Sequence, residues 1–71
     1  MTNREALRVV RQFRLCNAIY GTKRAAVYDP QTSEPYGPHG EISHALVAAS
    51  LQEGFPIAIQ VEDGVLYIYA L

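Results

Sequence analysis

The sequence predicts an α+β domain: a small, mostly antiparallel sheet, made of a C-terminal hairpin plus one further strand, packed by two helices in the order α-β-α-β-β. Three observations carry that prediction. Asp63-Gly64 stands between two alternating apolar stretches and has the composition of a type I′ turn. A hydroxyl and a carboxylate three residues apart open an N-terminal stretch of helical period. A second stretch, ahead of Gly54, repeats apolar residues at i, i+3, i+4 and i+7.

The first helix begins at the capping box Thr2-Asn3-Arg4-Glu5 and runs to about Tyr20, with Gly21 as its stop. At 100° per residue, Ala6, Val9, Val10, Phe13, Cys16, Asn17 and Tyr20 share one broad sector, with Arg4, Arg8 and Arg11 opposite and Arg14 at the flank. Leu15 and Ile19 fall on the arginine side. Either the helix ends near Arg14 or its second half is covered on both sides. A strand over residues 13–20 also fits, because Phe13, Leu15, Asn17 and Ile19 share period 2.

Arg24 to Tyr28 reads as a short strand ahead of a breaker. Asp29 to His39 reads as a loop, since Pro30, Pro35 and Pro38 exclude both a helix and a central strand. Gly40 or Ser43 caps the second helix, which carries Ile42, Ala45, Leu46 and Ala49 on one stripe but Val47 and Leu51 on the far side. It is apolar around most of its circumference. The hairpin turn pairs Glu62 with Val65, and everything behind follows: Val61 faces Leu66, Ile59 faces Ile68, and Ile57 faces Ala70. All six are apolar, while Ala58, Gln60 and Glu62 lie opposite Tyr69, Tyr67 and Val65 on the other face.

Seventy-one residues form one small domain, 1–71, whose folding hides only about 60% of the unfolded surface. A core that small calls for a staple or a partner subunit. One cysteine excludes an internal disulfide, and a lone Cys16 is read as a reduced core residue. No stretch is apolar enough for a membrane span, and four arginines over residues 4–14 exclude a secretory apolar run there. The expected compartment is cytoplasmic. A homodimer is the expected remedy for the small core. Val65, Tyr67, Tyr69 and Leu71 are the candidate interface, because an uncharged strand left as an edge invites aggregation.

The net charge of −1 conceals a partition. All six basic residues lie in positions 1–24 with one acid, Glu5, whereas positions 25–71 hold six acids and no lysine or arginine. The Arg4, Arg8, Arg11, Arg14 face is therefore a candidate binding surface for an acidic partner, unless Asp29, Glu34 and Glu41 neutralise it from within the chain. A protein with an acidic surface fits best. A nucleic acid, gripped at its phosphates by the same arginines, is the alternative, though a pI of 6.0 is far below that of a basic nucleic-acid domain. A third reading is a small-ligand sequestering protein with a pocket at the subunit interface near the 29–39 loop.

Signs of catalysis are sparse. Phosphate-binding and dinucleotide glycine loops are missing, as is a Gly-x-Ser-x-Gly elbow. His39-Gly40-Glu41 lacks the Pro-Cys-x-x-Cys half of the zinc deaminase pattern, and the spacing of His39, Glu41 and His44 suits no common metal site. The sequence points to binding without metal or cofactor, and Tyr36 and His39 are candidate contacts from the proline-rich loop.

Overall fold

A computed structural model describes residues 1–37 and 39–71; Pro38, expected in the loop, lies outside the described residues. The chain forms α1 (Asn3–Tyr20), β1 (Arg24–Ala26), α2 (Gly40–Glu53), β2 (Ile57–Glu62) and β3 (Val65–Ala70). The architecture is α+β, with a three-stranded antiparallel sheet of order β1-β3-β2.

Local signals set the ends of α1. The Thr2 hydroxyl accepts from the Glu5 amide at 3.2 Å and the Glu5 carboxylate accepts from the Thr2 amide at 2.9 Å, so each satisfies an amide that the helix cannot. Gly21 closes the helix in the left-handed region, φ 67°, its amide bonded to the Asn17 carbonyl. Between these caps the helix is continuous, so residues 13–20 are helical and the strand alternative falls. The period-2 pattern there was an accident of Leu15 and Ile19. Both lie on the solvent side, 59% and 62% exposed.

α2 starts at Gly40 with His39 as N-cap; the His39 side chain makes no capping bond, and Ser43 is inside the helix. Gly54, φ 64°, ends it. Ile42, Leu46 and Ala49 are buried, and so is Ser50, whose hydroxyl donates to the Val47 carbonyl. Val47 and Leu51 stay exposed.

The hairpin has the predicted register throughout, from Glu62 opposite Val65 to Ile57 opposite Ala70. Asp63 and Gly64 both take positive φ, 52° and 76°, as a type I′ turn requires. The strand read over 24–28 is regular only from Arg24 to Ala26, but Val27 still donates to the Leu66 carbonyl and Tyr28 forms a bridge with Pro35. Asp29 holds the turn beyond by accepting from the Gln31 and Thr32 amides.

β3 is the central strand and not an edge. Edge-to-edge pairing of a second subunit along Val65–Leu71 is therefore excluded, because β1 and β2 already take both sides of its backbone. One sheet face meets the helices through Ala25, Val27, Ile57, Ile59, Leu66 and Ile68, which pack with Ala6, Val10 and Phe13 of α1 and Ile42, Leu46 and Ala49 of α2.

Leu66 is fully buried on the strand that joins the sheet, so Leu66→Ala should cost about 2–5 kcal/mol. Leu51→Ala, at a side chain 76% exposed, should move stability by about 0.5 kcal/mol or less. Urea unfolding of the two variants beside the parent chain measures both.

Candidate functional site

The arginines of α1 do not act as one set. Arg11 pairs with Glu53 at 2.9 Å, and Arg14 donates to the Glu53 backbone carbonyl at 3.3 Å while its guanidinium stands 5.9 Å from the Phe55 ring centroid. Both reach across to the end of α2. Arg14 thus meets a C-terminal carbonyl of a helix that has no basic residue in its own last turn, and Arg11 meets the carboxylate of the same residue. Phe55 also meets Phe13 edge-on, 5.9 Å between ring centroids. Arg11 and Arg14 accordingly belong to the α1–α2 seam.

Arg4 and Arg8 have no ion pair among the described residues. The acids expected to neutralise the basic face, Asp29, Glu34 and Glu41, do not; the acid that does so is Glu53, and only for Arg11. The reason lies in the fold. Asp29 and Glu34 are tied into the hairpin-like loop by its own amides and carbonyls, and Glu41 sits in the first turn of α2.

On the exposed side of α1, Arg4, Arg8, Leu15 and Ile19 thus line up within about 60° on a helical wheel. Leu7, Gln12 and Arg11 join Arg4, Arg8 and Leu15 around a shallow surface hollow. Sequence reasoning named the two arginines but treated the aliphatic pair as an irregularity. Their exposure gives that face an apolar component, and it was present in the sequence as apolar residues on the charged side of a capped helix.

The other candidate residues lie elsewhere. Val65, Tyr67 and Tyr69 lie on the sheet face away from the helices, and Leu71 follows at the exposed end. That face is already partly occupied by Arg24 of β1. Its guanidinium lies 3.7 Å from the Tyr67 ring centroid, 5.6 Å from that of Tyr69, and pairs with Glu62. Cation–π attraction and the ion pair draw the one side chain diagonally over the aromatic surface. The Tyr69 hydroxyl donates to Gln60 Oε1 at 2.7 Å.

His39 is exposed, whereas Tyr36 is half-buried and packs against the core. Tyr36 is one wall of a cleft of about 300 Å³ between α1 and β1. Val9, Phe13, Val27 and Ile68 give the cleft an apolar floor, Cys16 lies along it, and Arg8 stands at its mouth. It adjoins the 29–39 loop but lies within one chain, whereas the small-ligand reading expected a pocket between subunits. Among the described residues no three His, Cys, Asp or Glu side chains gather as a metal site would require, and no helix is long and apolar enough to cross a membrane.

Burial pushes the Tyr36 phenol above its ordinary 10.0, and the negative charges of Asp29 and Glu5 push the same way. The folded state thus holds this proton more tightly than the unfolded chain. Its contribution to stability is complete below pH 10.0 and is lost as pH rises through the folded value. Tyr36→Phe should flatten the alkaline decline in stability and remove a late-titrating phenolate from an ultraviolet titration. An unchanged titration curve would assign the late proton to another tyrosine.

Comparisons with protein-family models, curated proteins and solved structures find no match for this chain.

Proposed function

We propose that this chain is a non-enzymatic protein-binding module of a regulatory or inhibitory kind, homodimeric, that engages an acidic partner surface through the exposed face of α1. One observation carries the reading: Leu15 and Ile19 are solvent-exposed in line with Arg4 and Arg8. Guanidinium groups beside aliphatic side chains suit a protein surface in which carboxylates border an apolar patch. Burying the aliphatics supplies affinity, and the arginines orient the partner and speed its approach. A nucleic-acid backbone would satisfy the arginines and leave Leu15 and Ile19 unused. The position of Arg11 and Arg14 supports the same preference, since their attachment to α2 shortens the run of free charge that a phosphate track would need.

The division of roles along α1 gives the reading its specificity. Arg4 and Arg8 supply charge near the N-terminal half, where Thr2 and Glu5 have already satisfied the cap. Leu15 and Ile19 supply apolar area near the C-terminal half. A partner with its acids and its apolar patch in the opposite order would meet the helix out of register.

Affinity capture, followed by titration of the purified captured protein, tests the proposal. Leu15→Ala with Ile19→Ala, and separately Arg4→Glu with Arg8→Glu, should each weaken binding by about tenfold or more, with far-ultraviolet circular dichroism unchanged. A labelled DNA duplex and a labelled single-stranded RNA at low salt should show no binding. If either binds, loses affinity steeply with salt and ignores the aliphatic substitutions, the face belongs to nucleic acid and the proposal fails.

A further inference from the structure

β1 closes one side of the sheet, but its own outer side is open. Val27 donates to Leu66 and Ala70 donates to Lys23, so the odd-numbered residues of this segment turn their backbone groups toward β3. Antiparallel alternation turns those of Arg24 and Ala26 the other way. Tyr28 continues the pattern. Its bridge with Pro35 is made by the flanking bonds Asp29 to Glu34 and Tyr36 to Val27, which leaves the Tyr28 N–H and C=O pointing outward as well. Three alternate residues thus present an edge with no backbone partner among the described residues. Along the same edge, on the helix side of the sheet, runs the apolar cleft floored by Val9, Phe13, Val27 and Ile68. Tyr28 stands at its rim, 50% exposed.

We propose that β1 pairs antiparallel with β1 of a second copy about a two-fold axis at Ala26, joining the two sheets into one and closing the two clefts against each other. This rests on the homodimeric reading above and assigns its interface. The choice of a second copy comes from the self-complementarity of the segment. With the axis at Ala26, each Ala26 N–H meets the other Ala26 carbonyl, and Arg24 pairs with Tyr28 of the second copy. Lys23 then stands opposite Asp29 of the second copy.

That register joins opposite charges at Lys23 and Asp29 and sets Tyr28 across from Arg24, whose guanidinium stays over Tyr67 of its own sheet. Moving the axis to Arg24 sets the two guanidinium groups opposite each other. Moving it to Ala25 sets Lys23 opposite Val27 and loses the ion pair. Lys23 has no ion pair within its own chain among the described residues. Asp29 uses one carboxylate oxygen, Oδ1, to hold its turn, which leaves Oδ2 for the lysine.

Three consequences favour the arrangement energetically. It satisfies one of the two edges of the three-stranded sheet, the one along β1. It covers the cleft and the exposed Tyr28 ring, adding apolar burial to a chain of a size at which a single core is marginal. It leaves the Arg4, Leu15 and Ile19 side of α1 free, while Arg8, at the mouth of the cleft, borders both surfaces. The interface is isologous and closed, so pairing through β1 joins two copies, with β2 at each outer edge of the joined sheet.

Sedimentation velocity over a dilution series, with residue-resolved amide exchange, tests the proposal. The expected result is a dimer at high concentration whose Arg24, Ala26 and Tyr28 amides are protected and lose protection on dilution. Ala26→Pro removes an N–H that the single chain's sheet does not use, and should give a folded monomer. Lys23→Glu, which puts like charges opposite each other, should raise the dimer Kd by about tenfold or more at low salt and less at high salt. Because Lys23 is exposed, that variant keeps the test decisive if Ala26→Pro fails to fold. A monomer at every concentration overturns both the interface and the homodimeric reading. A dimer untouched by Ala26→Pro and Lys23→Glu, but broken by Leu15→Asp, overturns the interface alone and moves it to α1.

Discussion

The rest of the structure depends on where one uncharged strand can go. β3 has no charge, no proline and a row of β-branched and aromatic residues, so its backbone needs partners on both sides and its Leu66 and Ile68 side chains need a roof. The hairpin turn provides β2 on one side. β1, drawn from the other end of the sequence, provides the second. Once β3 is central, α1 and α2 must cover the same sheet face, because Leu66, Ile68 and Ile57 all point there. β2 and the three-residue β1 are then the two edges of the sheet; β1 is short and carries arginine, two properties that limit unwanted pairing without abolishing pairing of a matched kind.

The charge partition is resolved by the same topology. Arg24 enters the sheet beside Tyr69, so its guanidinium can cross to Glu62 of the hairpin over the aromatic face. α1 lies beside α2, so Arg11 and Arg14 meet Glu53. Two clasps thus join the basic N-terminal segment to the acidic remainder. These exposed pairs are worth little individually, about 1 kcal/mol or less each. Their larger consequence is selective: they take up the arginines near α2 and the sheet and leave Arg4 and Arg8 on the open side of α1.

Most of the fold was legible because its signals are local. The capping box, Gly21, the Asp63-Gly64 turn and the alternation behind it each constrain a few neighbouring residues, and each appears in the structure. Illegible were the choices between elements. Whether β3 would be an edge depended on Arg24–Ala26 finding it from about forty residues away, and nothing in either segment encodes that pairing uniquely. The neutralising partner of Arg11 was missed for a similar reason. Glu53 lies at a helix end, and only the placement of α2 beside α1 brings the two together. The helix-or-strand ambiguity over 13–20 arose because Leu15 and Ile19 were read as residues in need of cover. With the helix fixed by its caps, the two are exposed apolar positions on a charged face.

That change of status links the two surfaces of α1. One long side of the helix looks toward the cleft through Val9, Phe13 and Cys16, and the solvent side carries Arg4, Arg8, Leu15 and Ile19. A helix that only closed a core would have no use for aliphatic residues on its outer side, because each exposed Leu or Ile leaves apolar area in water that a polar residue would not. Isolated cases are ordinary on protein surfaces. Here the two are one helical turn apart and continue the line of the two arginines without an ion pair among the described residues. The core accounts for Ala6, Val10 and Phe13, and the seam with α2 accounts for Arg11 and Arg14. The arrangement of the outer face serves neither, which is why binding by that face, and not packing, is the reading that uses all four of its residues.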